Sequence, residues 1–180
     1  MEKKEERRLA RKIVRAVAKE FQAIGFLHTK PTFIVRPFKG FVQFMHFHNY
    51  SFGPDLRVHF GIRVLNDPFI AVALNGPSSD EGGHYWPDEE HTMICTSRLV
   101  ELVRREGLPW FSVLSSAEML LTSLETPLRE SDRTALLEDM DGRRNEASWQ
   151  NSMRLLGLPH ERSNGALEPT AVSSVGSFEH

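Results

Sequence analysis

GFVQFMHFHNYSFGPDLRVHFGIRV, residues 40–64, is the stretch whose reading decides the fold. Successive side chains of a strand point to opposite faces, so alternate positions share a face. In the second half, Leu56, Val58, Phe60, Ile62 and Val64 form an apolar row, with Arg57, His59, Gly61 and Arg63 behind it. In the first half, Phe41, Gln43, Met45 and Phe47 make one row and Val42, Phe44, His46, His48 and Tyr50 the other. A loop as short as residues 51–54 joins the halves as an antiparallel hairpin. Two registers are open. One sets Met45 and Phe47 against Val58 and Phe60 and brings His46 and His48 beside Arg57 and His59; the other buries both histidines. The first is expected, because it leaves the polar groups in water instead of burying imidazoles that would need partners.

Outward from the hairpin, residues 4–24 carry Leu9, Ile13, Val14, Val17, Phe21 and Ile24 at helical spacing, with Gly25 as the stop. Strands are expected at 32–36, 41–50, 56–64 and 69–74, separated by turn residues at 37–40, 53–55 and 66–68, which predicts an antiparallel meander. Residues 75–90, NGPSSDEGGHYWPDEE, form a polar, acidic loop holding Tyr85 and Trp86. A helix follows over 91–106, stopped by Gly107, then a turn at 108–111 in which Trp110 and Phe111 belong to the core. Ser115 and Glu118 match a capping box opening a helix to about 124, and two more helices span 133–140 and 146–156. Residues 160–180 show no periodicity and read as a disordered tail. The expected fold is a single α+β domain over 1–159, with an N-terminal helix, a four-stranded antiparallel meander sheet and C-terminal helices packed on one sheet face.

The helix end Phe21-Gln22-Ala23-Ile24-Gly25-Phe26, the strand Thr32-Phe33-Ile34-Val35, the segments Val42-Gln43-Phe44, Phe47-His48 and Val58-His59-Phe60-Gly61-Ile62, and Gly107-Leu108-Pro109-Trp110-Phe111 resemble the bacterial family of domain of unknown function 4304 over residues 5–125. The resemblance implies an α+β fold with an antiparallel sheet and brings no established activity. Where that family is expected to carry amide side chains, this chain has His46, His48 and His59, so the likeness implies no shared catalytic role for them.

The 180 residues carry 22 Lys and Arg against 24 Asp and Glu, a formal charge of −2. That balance gives no global field of the kind a nucleic-acid binder shows. The basic cluster Lys3, Lys4, Arg7, Arg8, Arg11 and Lys12 is interleaved with Glu2, Glu5 and Glu6 and reads as a solvated helix face. No nucleic-acid partner is therefore expected; nucleic-acid binding, as a third class of function, would use this first helix. The lone Cys95 falls on the apolar side of its helix, as a small buried hydrophobe would. The start MEKKEERRLARK lacks a signal-peptide core, and the apolar run 69–74 is far shorter than the ~20 residues of a membrane helix. A cytoplasmic location and no membrane partner are expected.

Two regions carry candidate site residues: the polar hairpin face of His46, His48, Arg57, His59 and Arg63, and the loop residues Tyr85, Trp86, Asp88, Glu89 and Glu90. Histidines two apart on a strand point the same way ~6.5 Å apart, so His46, His48 and His59 are the candidates should a metal bind. Arg57 and Arg63 on the same face would repel a divalent cation, so no metal and no cofactor are expected. Asp80, Glu81, His84 or Asp88 could change this by folding over the sheet. The favoured reading is non-catalytic protein binding of an immunity or accessory type, with a basic protein as partner. The alternative is a metal-dependent enzyme using His46, His48 and His59, with Glu81 or Asp88 as base. In neither reading does the sequence define the oligomeric state.

Overall fold

A computed structural model describes residues 2–49, 54–78, 83–84 and 89–159 of the chain. It is an α+β fold built on an open antiparallel sheet. Helix α1 (Lys3–Phe21) buries Leu9, Ile13, Val14, Val17 and Phe21, the side chains its periodicity puts on one stripe. A single turn of 3₁₀ helix follows, and Gly25 at φ 89° ends it in the left-handed region. The strands are β1 (Leu27–Lys30), β2 (Phe33–Pro37), β3 (Phe41–Asn49), β4 (Asp55–Val64) and the two-residue β5 (Gly83–His84), in the order β1-β2-β3-β4-β5.

The hairpin adopts the expected register. Met45 faces Phe60 and Phe47 faces Val58, while His46 faces His59 and His48 faces Arg57. One sheet face is therefore continuous and apolar. Ile34, Met45, Phe47, Leu56, Val58 and Phe60 pack against α1 and the helices that follow the sheet, and Phe41, Ile62 and Val64 pack against Leu114, Leu120 and Leu136 at its other end. Buried Gln43 ties this face to the helices, donating from Nε2 to the carbonyls of Phe111 and Leu114 and accepting from the Arg36 guanidinium at Oε1.

Several elements differ from the sequence expectation. Residues 27–30, too short to show a pattern of their own, form β1, whose Thr29 and Lys30 donate to the carbonyls of residues 154–156. Residues 69–74 form no strand. The Arg63 guanidinium draws the carbonyls of Asp67, Phe69 and Ala71 toward itself and bends that segment away from the sheet. The outer edge of β4 is met instead by residues 75–78. Asn75 exchanges both of its side-chain amide groups with the backbone of Ile62 at 3.0 Å, standing in for a ladder pair. Gly76 N donates to Phe60 O, Phe60 N donates to Pro77 O, and Ser78 bridges to His59.

The helix expected to stop at Gly107 does not. Helix α2 (Glu89–Leu102) continues through a π-helical turn (Val103–Gly107) into α3 (Leu108–Ser112), so the anticipated turn at 108–111 is helical. Gly107 keeps a right-handed helical backbone at φ −71°. Its service is space, because a Cβ there would lie 2.4 Å from the Phe60 ring. Phe111 is fully buried and Trp110 half-buried. Helix α4 (Ala117–Thr122) is capped by Ser116, one residue beyond the expected cap. Helix α5 (Glu130–Met140) starts three residues earlier than expected, where Asp132 Oδ2 accepts from the backbone N–H and the guanidinium of Arg129. Helix α6 (Glu146–Leu156) matches its expected bounds, from Asn145 to a left-handed Gly157.

The C-terminal helices do pack on the sheet, and α6 lies on the face opposite α1. There Leu156, Met153 and Trp149 cover Val35, Val42 and Phe44. Lys30 and Thr29 hold the carbonyl end of α6 in place, a cation at the negative end of the helix dipole. Among the described residues, no helix is long and apolar enough to cross a membrane.

Candidate functional site

The face that α6 covers at one end is polar at the other. Alternation on β3 and β4 and their register put His46, His48, Arg57 and His59 on it together. The three imidazoles form a near-equilateral group, with ring centroids 6.2 Å (His46–His48), 6.5 Å (His46–His59) and 6.4 Å (His48–His59) apart. His48 is exposed, whereas His46, Arg57 and His59 are half-buried. Phe33 of β2, directly across the ladder from His46, lies 4.6 Å from its ring. Gly61 opens the sheet between this group and α6, since a Cβ there would collide with the Phe44 ring at 2.2 Å.

Burial lowers the His46 pKa to about 4, with the neighbouring His48 and His59 adding to the effect. Burial likewise lowers His59, helped by His48 and Arg57. At neutral pH these two rings are uncharged, so each offers one donor and one acceptor nitrogen. His46 Nδ1 is buried without a hydrogen-bond partner. Arg57 stands beside the group, with Asp55 Oδ2 3.9 Å from its Nε. Such a surface recognises polar groups, backbone amides among them. Among the described residues, no three His, Cys, Asp or Glu side chains are placed to hold a metal ion together.

Arg63, expected as part of this polar surface, lies on the same sheet face but is buried apart from the histidine group. The side chain is 2 % exposed, and all five of its N–H groups are used inside the protein. Nε donates to Ser152 Oγ, Nη1 to Asp67 Oδ2 and the Ala71 carbonyl, and Nη2 to the carbonyls of Asp67 and Phe69. Alternation assigned its face correctly but could not show that α6 and the 67–71 loop close over it. Conversely, Phe33 and Asp55 join the polar group and were not singled out. Phe33 enters only through the β2–β3 register, for which the sequence offered no separate signal.

Of the loop candidates, Tyr85, Trp86 and Asp88 lie outside the described residues, as do Asp80 and Glu81. Glu89 opens α2, and Glu90 is exposed on its first turn. Three residues of that loop are placed: Ser78 bridges to His59, and Gly83 and His84 pair with Leu56 and Asp55. The loop therefore leaves and rejoins the sheet at the edge of the histidine group. Cys95 is buried beneath Gly83, whose Cβ would come within 2.5 Å of Sγ. Burial, then the Asp55 carboxylate, pushes this thiol up to about 12, so it stays protonated.

Compared with known proteins, the chain matches no family model, and neither the curated proteins nor the solved structures provide a significant match.

Proposed function

We propose that the chain is a non-catalytic protein-binding domain, of the immunity or accessory type, whose site joins the His46, His48, Arg57 and His59 face to the loop over residues 75–90. One observation carries this reading. The strand pairings of Ser78, Gly83 and His84 with β4 bring these three loop residues to the edge of the histidine face. On this reading the two candidate regions act as one surface. The partner is a basic protein, because the loop contributes Asp80, Glu81, Asp88, Glu89 and Glu90 and has neither lysine nor arginine. Tyr85 and Trp86 supply the anchors, and the carboxylates speed encounter. The half-buried neutral imidazoles add directional hydrogen bonds. The likeness to the family of domain of unknown function 4304 is part of this reading and adds no activity to it.

The test is affinity for a partner captured from the native host and then purified. Trp86→Ala should weaken binding by about 2 kcal/mol or more, roughly 30-fold, with the fold intact. Glu89→Lys should chiefly slow association and reduce its salt dependence. Unchanged affinity of Trp86→Ala and of His48→Glu alike would remove the site from this surface.

A further inference from the structure

The chain is nearly neutral as a whole, yet one helix face is not. Within α1 stand eight Lys and Arg against Glu5, Glu6 and Glu20, a formal +5, so the rest of the chain, at −2 overall, carries −7. In the sequence these cations look neutralised by interleaved glutamates. The fold separates them. Glu6 is buried and binds Lys3, and Glu20 reaches Arg104. At 100° per residue, Lys4, Arg8, Arg11, Lys12, Arg15 and Lys19 fall within one sector of about 100°, opposite the buried stripe and with no acid inside it. All but Lys19 and Lys12 lie within a narrower strip about 60° wide. All six are exposed. Among the described residues only Arg8 has a carboxylate partner, Glu5. The result is a straight cationic strip ~22 Å long at 1.5 Å per residue.

We propose that this strip is a docking surface for the phosphate backbone of double-stranded DNA, without sequence preference. A regular row of cations, interrupted only where Glu5 holds Arg8, is complementary to a regular row of phosphates, and contacts to phosphate position a duplex without reading it. No aromatic side chain lies in the strip, so single-stranded bases have nothing to stack on. The deep, narrow major groove of A-form RNA does not admit a helix, whereas the ~12 Å groove of B-DNA does. A bilayer is the wrong partner because the apolar stripe of α1 is consumed by the core, leaving no large face to insert. A protein interface would need apolar anchors that the strip lacks. The surface lies across the sheet from the histidine face, so the inference is independent of the function proposed above.

The experiment is fluorescence anisotropy of a random-sequence DNA duplex of about 20 base pairs with the full chain at about 50 to 200 mM salt. Five phosphate contacts, Arg8 being held by Glu5, predict a slope of log K on log salt of about −4.5, a loss of about 500-fold across that range. Arg11→Glu with Arg15→Glu should weaken binding on the order of 100-fold and flatten the slope by about 2. Arg154→Glu, on α6, should change neither; circular dichroism of each variant establishes that the fold is kept. Absence of binding at the lowest salt, a slope near zero, equal losses in the two variants, or tighter binding to anionic phospholipid vesicles or an RNA duplex at equal phosphate would each overturn the proposal.

Discussion

A guanidinium with all five donors satisfied in the protein interior is costly to disturb. Arg63→Met leaves buried Asp67 with only the half-exposed Arg129, 3.5 Å from its Oδ2, as counter-ion, and frees three carbonyls of the 67–71 loop. We expect a loss of about 3–5 kcal/mol in urea unfolding, the range for breaking a buried pair by removing one partner. A loss below about 1 kcal/mol would mean that this network is not what holds the loop. Alternation could place Arg63 on a face but not reveal its role, because hydrogen bonds to backbone carbonyls leave no pattern in residue types. His46 presents the opposite case. Its folded pKa is about 4 against an ordinary 6.5, so between those values the unfolded chain binds a proton that the folded chain does not. Stability therefore falls as pH drops through that window and is fully present above it. The whole shift corresponds to about 3 kcal/mol, reduced by solvent at this partly exposed ring to on the order of 1–2 kcal/mol. His46→Phe should remove that part of the pH dependence, measurable as unfolding midpoints between pH 4 and 7; an unchanged slope would assign it to other groups.

Among the elements, the β3–β4 hairpin was legible because its apolar row admits one arrangement that keeps the imidazoles near water. Phe60 is the centre of that row, fully buried against Phe111 with ring centroids 5.7 Å apart. Phe60→Ala should cost about 3–5 kcal/mol. An unfolding midpoint equal to that of the wild type would mean that the row is not the core. The run at 69–74 shows where pattern reading stops. Six apolar residues suit a buried strand, but a strand also needs a free ladder partner, and Asn75 to Ser78 occupy that edge of β4. Asn75→Ala should remove two hydrogen bonds and cost about 1–2 kcal/mol. Its distinguishing readout is faster amide exchange at Ile62, and retained protection there would show that the side chain is not part of the ladder. The Gly107 stop was misread for a related reason. Glycine after a helical run commonly caps it, yet here the residue is small so that Phe60 can pack against the helix backbone.

At the scale of the molecule, the sheet separates two surfaces of different chemistry. Helix α1 covers one face and turns its cations outward, while the other face divides between α6 and the histidine group. This division was only partly legible. The histidine group follows from strand alternation, but the extent of its cover depends on where α6 docks, and that is decided by Thr29 and Lys30 of β1 and Arg63 of β4 reaching α6 from two places in the chain. The acidic loop was visible from composition, and its attachment to the same edge was not, because two-residue pairings carry no sequence signal. The most direct test of the protein-binding account is hydrogen–deuterium exchange of the chain alone and saturated with its purified partner. The account predicts added protection in residues 46–49, 55–59 and 75–90, with α6 and the outward face of α1 unchanged. Protection confined to α1 or to α4 and α5, with the hairpin end exchanging as in the free protein, would contradict it.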